Sequence, residues 1–154
     1  MEELFPENQG LYDRANEHDN CGIGFVADIK GRKSNDIVQR GLEVLARMEH
    51  RGAESADNKT GDGAGILMQI PHKFFAEKIK DIPAEGEYGA GLVFLPRDKS
   101  DCDKVKAEFE KIVSAEGQKI IAWRDVPVID SCIGEIAKRS EPIIEQVFIS
   151  GTQK

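Results

Sequence analysis

The sequence predicts a domain of mixed helix and strand, α/β or α+β. Three observations carry this. Short β-branched runs bounded by glycine or proline alternate with stretches whose apolar residues recur at helical spacing. Five strands alternating with four helices are expected, with no internal repeat and no low-complexity tract. The 154 residues, 40% of them hydrophobic, are enough for one core of ordinary domain size.

Residues 1–20 read as an extended leader. Pro6, Asn8, Gly10 and several acidic side chains leave it little to bury, although Leu11 and Tyr12 could dock. Residues 22–29 read as a strand with Ile23, Phe25, Ala27 and Ile29 on one face, turned at Gly31. Ser34 or Asn35 then caps a helix running to about His50, with Asp36 in its first turn. Ile37, Val38, Leu42, Leu45 and Met48 form its apolar face, and Glu43 with Arg47 is an i,i+4 pair. Arg51 to Gly65 is a glycine-rich loop.

Ile66–Ile70 is a short strand stopped by Pro71, and Phe74–Ile79 a short helix. Tyr88–Leu95 is a strand ended by Pro96. Ser100-Asp101-Cys102-Asp103 has the capping-box pattern. The helix it opens carries Cys102, Val105, Phe109, Ile112 and Val113 on one face, with Gly117 as its C′ residue. Lys119–Trp123 is a strand, Ser131 caps a helix through Ala137, and Ile143–Ile149 is the last strand.

Composition excludes several classes of function. The net charge is −7 and the basic residues are scattered, which argues against nucleic acid as partner. No run approaches the ~18 apolar residues of a membrane span, and the first twenty residues lack the apolar segment of a secretory signal. Cys21, Cys102 and Cys132 form no CxxC pair, which suits free thiols in a reducing cytoplasm.

The candidate nucleophile is Cys21. It stands between the polar run Asn16-Glu17-His18-Asp19-Asn20 and the glycine-spaced Gly22-Ile23-Gly24-Phe25-Val26-Ala27. A processing site at this boundary would make Cys21 the first residue. Thiol and free α-amine would then share one carbon. That amine titrates near ~7.7–8.0, so it can serve as the base for its own thiol.

Other motifs are weaker. Gly22-Ile23-Gly24-Phe25-Val26-Ala27 matches G-x-G-x-x-A, but lacks a strand before it and a helix after it, so the glycines read as points of close approach. Asp57-Asn58-Lys59-Thr60-Gly61-Asp62-Gly63 has Lys59 where a calcium loop needs Asp or Asn, and reads as a glycine turn. Gly61-Asp62-Gly63-Ala64-Gly65 lacks the Lys-Ser/Thr of a phosphate loop. His18, His50 and His72 match no ligand spacing, so no metal is expected. Cys102 reads as a buried small hydrophobe, and Cys132 as structural. Arg51 is either a helix-end cation or a guanidinium ordering the Cys21 strand or an acidic ligand.

Four segments in series carry a resemblance: Cys21-Gly22-Ile23-Gly24-Phe25-Val26-Ala27, His50-Arg51-Gly52-Ala53, Gly61-Asp62-Gly63-Ala64-Gly65-Ile66 and Ile70-Pro71-His72-Lys73-Phe74-Phe75. In order and spacing, from about Tyr12 to Ile149, they resemble the start of the glutamate synthase large subunit. The resemblance implies an α+β fold, part of a four-layer αββα N-terminal-nucleophile hydrolase sandwich. Residues 1–20 would be a propeptide, and 21–154 the N-terminal portion of a class II glutamine amidotransferase domain. It implies that Cys21 attacks the carboxamide of L-glutamine, with Arg51 and its neighbour Gly52 as supporting or substrate-binding residues. Ammonia released there would serve glutamate biosynthesis elsewhere in the parent protein.

The implied parent is a cytoplasmic oxidoreductase of ammonia assimilation. FMN and an iron–sulfur cluster would belong to domains outside this chain, and its partners would be those domains with an electron-donating small subunit or ferredoxin. The segments resembling R-[FY]-S-T-N and N-G-E-I-N, which supply the family's carboxylate clamp and oxyanion hole, do not occur; Ile133-Gly134-Glu135-Ile136 is a superficial echo. Losing one oxyanion donor costs about 10²–10³ in rate. The chain alone is therefore expected to be inactive, and a non-catalytic binding module or remnant is the alternative. A redox or hydrolytic role for unprocessed Cys21 is a third, weaker reading.

Overall fold

The computed structural model describes Gly10 and residues 22–151, with Arg51 described in its backbone alone. The expected leader and Cys21 lie outside the described residues. The chain falls into two compact units. One contains the residues up to Glu54 together with Gly61–Ile66; the other contains Ser55–Thr60 and the chain from Leu67 on.

The first unit is built on helix α1, Asn35–Arg47. Ser34 caps it as expected, its hydroxyl accepting the Ile37 N–H at 3.4 Å. Asp36 pairs with Arg40 at 2.8 Å and Glu43 with Arg47 at 2.5 Å, both one turn apart. A 3₁₀ turn, Glu49–Arg51, follows directly.

Gly24 and Gly41 let extended chain lie against α1. A Cβ on Gly24 would collide with Val44 Cγ1, and one on Gly41 would come within 2.9 Å of Ile66 Cδ1. The inner face of the helix is thus Ile37, Val38, Gly41, Val44, Leu45 and Met48, while Leu42 is exposed.

The expected strands at 22–29 and Ile66–Ile70 are not formed. Among the described residues neither segment has a ladder partner, and Phe25 is 91% exposed. Alternating apolar residues specify one face of a strand, but a strand also needs a neighbour to take its N–H and C=O groups.

The second unit is a small antiparallel sheet with helices on it. Its strands are β1 (Tyr88–Leu95), β2 (Ile120–Asp125) and β3 (Ile143–Ser150), in the order β1-β3-β2. Both outer strands run antiparallel to β3, with Ala90 and Ala122 each opposite Phe148. In the central strand β3 the adjacent residues Val147 and Phe148 are both buried, one on each face of the sheet.

On one face, helix α2 (His72–Lys78) and Ile79 bring Phe75 and Ile79 onto Tyr88 and Phe148. Phe75 meets Phe148 edge to face at 4.9 Å, and Phe148 has no exposed surface. On the other face lies helix α3, Lys99–Ala115, which presents Cys102, Lys106, Phe109 and Val113 at i, i+4, i+7 and i+11. Phe109 meets Trp123 edge to face at 5.5 Å, and the Lys106 ammonium sits 4.6 Å over the Trp123 ring while pairing with Glu145 at 2.6 Å.

Three details of the second unit correct the reading from sequence. Helix α3 starts before Ser100: Asp98 is its cap and accepts the Asp101 N–H at 3.0 Å. Val105 and Ile112 lie off the buried stripe and are exposed, because one helix stripe is enough to cover a three-stranded sheet. The last helix, α4, is only Glu135–Lys138, and its cap is Gly134 rather than Ser131. At the end of α3, Gly117 takes φ +72° and Gln118 N–H returns to Val113 O at 3.1 Å, the Schellman closure expected for a C′ glycine.

Candidate active site

Cys21 lies outside the described residues, so the site is approached from Arg51, Gly52 and the loop after them. The backbone of Arg51 closes the 3₁₀ turn, with Gly52 N–H donating to Glu49 O at 3.0 Å. His50, at the same helix end, places Nδ1 3.0 Å from Arg47 O, which agrees with its reading as a helix-terminal histidine.

Gly52 is extended (φ −86°, ψ 152°) and carries the chain away from the helix. The loop is then pinched at two successive positions. Asp62 Oδ2 accepts the Ala53 N–H at 2.8 Å, and Glu54 forms an isolated antiparallel bridge with Gly61. A Cβ on Gly61 would stand 3.2 Å from Ala53 O, so the close approach favours glycine.

The tip of the loop belongs to the second unit and is a hydrogen-bonded turn. Ser55 N–H donates to Thr60 O at 2.7 Å, and Asn58 adopts φ +51°. Asp57 Oδ1 accepts the N–H groups of Lys59 (3.1 Å) and Thr60 (2.8 Å), and Oδ2 accepts the Thr60 hydroxyl at 2.7 Å. These donors, the Thr60 hydroxyl foremost, hold the Asp57 carboxyl well below the usual carboxylate range.

The same two side chains cap α4. Asp57 Oδ2 accepts Ile136 N–H and Thr60 Oγ1 accepts Ala137 N–H, each at 3.3 Å. Gly134 is buried at this contact, where a Cβ would come 2.9 Å from Thr60 N and collide with both capping oxygens. The Ile133-Gly134-Glu135-Ile136 echo is therefore a helix start packed on a turn. The sequence reading of Asp57 to Gly63 as a glycine turn gives Asp57, Thr60 and Asp62 no individual role; the Asp57-x-x-Thr60 spacing is the available signal.

Cys102 is buried beneath α3, in line with its reading as a small hydrophobe, and Cys132 is exposed with its thiol 3.4 Å from Ile129 O. His72, at the start of α2, places Nδ1 3.2 Å from the Tyr88 hydroxyl. Burial pushes that hydroxyl's pKa up. Among the described residues no group of three or more His, Cys, Asp or Glu could hold a metal ion. No helix among them is long and apolar enough to cross a membrane.

Comparison with known proteins decides the family. The profile of the Glutamine amidotransferases class-II matches residues 21–154. This chain belongs to that family. It is 42% identical over 149 residues to the glutamate synthase [NADPH] large chain of Bacillus subtilis, covering 96% of this chain and 10% of that one. Against glutamate synthase [NADH] of Saccharomyces cerevisiae it is 40% identical over 155 residues, covering 95% and 7%. The ferredoxin-dependent glutamate synthase of Oryza sativa chloroplasts is 41% identical over 133 residues, covering 84% and 8%. The amidotransferase chain thus spans a tenth or less of the length of these curated relatives. It has the mixed helix and strand content, with a small antiparallel sheet, that suits the family.

Proposed function

We propose that this chain carries the glutaminase nucleophile of a glutamate synthase. Cys21 attacks the carboxamide carbon of L-glutamine, and its own α-amino group, freed by removal of residues 1–20, carries the proton to the departing ammonia. Water then hydrolyses the glutamyl thioester, releasing glutamate and regenerating the thiol. Arg51, with Gly52, supports the nucleophile.

One observation carries this reading: the class II family match begins at Cys21 and takes in Arg51, Gly52 and the glycine loop in a single span. The same likeness supports an N-terminal-nucleophile sandwich of four layers. Within the second unit, Leu92 (55% exposed) and Phe94 (64% exposed) share the Phe148 face of the sheet beyond the cover of α2, as one layer of such a sandwich would.

The ammonia is used in the rest of the parent protein, whose partners are an electron-donating small subunit or ferredoxin. FMN and an iron–sulfur cluster belong there. The residues described here do not fit a cluster: Cys102 is buried under α3, Cys132 is exposed on a loop, and no cysteine group surrounds either.

The test is the mature N-terminus of the whole protein, followed by labelling with 6-diazo-5-oxo-norleucine. A polypeptide beginning at Cys21 and labelled on that thiol is expected. A processed protein whose Cys21 stays unlabelled overturns the proposal.

A further inference from the structure

We propose that Asp62 is a positioning residue: its carboxylate sets the backbone course of Arg51-Gly52-Ala53, and through it the place of Arg51. The inference rests on the reading of Cys21 and Arg51 given above.

The observation begins with an unpaired donor. The 3₁₀ turn ends at Arg51, Gly52 is extended, and the Ala53 N–H has left the helix without entering a sheet. A backbone N–H in that position needs an acceptor. Asp62 supplies it from nine residues further on, at 2.8 Å. A carboxylate makes this a charge-assisted bond, about twice as strong as a neutral one.

The Glu54–Gly61 bridge adds the second rung, and Gly61 sits close enough to Ala53 O for the two strands of the pinch to touch. The excursion from Ser55 to Thr60 then has its own turn bonds. The side-chain rung is the one nearest Arg51, two residues from it in the chain. Backbone bonds fix the turn before Arg51, and Asp62 fixes the direction in which the chain leaves.

The bond is exposed, so it contributes little to global stability while still defining geometry. That separates a positioning role from a merely structural one. An error of about 1 Å in a supporting group can cost on the order of 10²-fold in rate.

The experiment is glutamine hydrolysis by the whole protein that carries these residues, compared among wild type, Asp62→Ala, Asp62→Asn and Cys21→Ala. Asp62→Ala is expected to lower kcat on the order of tenfold to hundredfold, with KM within about twofold of wild type. Its melting midpoint should stay within about 2 °C. Asp62→Asn, which keeps an acceptor oxygen, should recover most of the rate.

A kcat within about twofold of wild type in Asp62→Ala overturns the inference. So does a loss that follows the melting midpoint and is not recovered by Asp62→Asn. With Cys21→Ala inactive, either outcome removes Asp62 alone and leaves the function standing. Full hydrolysis by Cys21→Ala overturns the reading of the nucleophile, and the role of Asp62 with it.

Discussion

Asp57 caps a helix that starts far along the chain, accepting the Ile136 N–H at 3.3 Å across a separation of 79 residues. The helix has no cap of its own, because Gly134 offers no side chain. The turn at Asp57-Asn58-Lys59-Thr60 and the start of α4 therefore depend on each other.

Removing the cap should loosen both. Asp57→Ala is expected to lower the melting midpoint by roughly 2–6 °C, as loss of a side-chain N-cap does in a domain of this size. Gly134→Ala should be at least as damaging, since its methyl group must displace the capping oxygens. Thermal melts followed by circular dichroism check both.

The low pKa of Asp57 gives a pH signature. Its carboxyl is depressed below the ordinary value of 3.8, chiefly by the Thr60 hydroxyl. A group depressed in the folded state binds protons more readily when unfolded, so its contribution is complete above the unfolded pKa and is lost as pH falls towards the folded one. The stability difference between wild type and Asp57→Asn should hold steady above about pH 5 and shrink below about pH 4. Urea titrations across that range measure it, and a difference that grows on acidification would contradict the assignment.

The Lys106–Glu145 pair under α3 predicts a non-additive double mutant. Glu145 is 9% exposed and its partner ammonium lies 2.6 Å away. Lys106→Met leaves that carboxylate buried and unpaired, which should cost about 3 kcal/mol. Lys106→Met combined with Glu145→Met should recover most of the loss, because no charge is then stranded. A double mutant as unstable as the sum of the single ones would show that the pair is not coupled.

The two ends of the Phe148 face should respond differently. Phe148→Ala empties a site closed by Phe75 and Tyr88 and should cost about 3–5 kcal/mol. Leu92→Ser and Phe94→Ser remove side chains that are more than half exposed, so they should change stability little. The exposed apolar patch they form is expected to make the isolated chain self-associate, and both substitutions should reduce that association. Sedimentation velocity tests this; unchanged association would place the sticky surface elsewhere.

Local chemistry was legible wherever the residues that decide an element adjoin it. Ser34 satisfies an N–H three residues on, Gly117 takes the positive φ that closes α3, and Pro96 stops a strand read correctly as Tyr88–Leu95. The family was legible too, because four short motifs in fixed order are specific when none is so alone, and the class II match spans 21–154. The roles proposed for Cys21 and Arg51 come from the same motifs, as residue types in a spacing.

Tertiary structure decided what depends on partners distant in sequence. The alternation in 22–29 could not say whether a neighbouring strand would be there to pair with it, and among the described residues none is. The stripe of α3 had to await the width of the sheet beneath it before Val105 and Ile112 could be set outside. Asp57 and Asp62 read as ordinary loop carboxylates until folding brought one to Ile136 and the other to Ala53. A side chain's type is set by the sequence, but a hydrogen bond needs both groups within about 3 Å of each other, and only the folded chain supplies that distance.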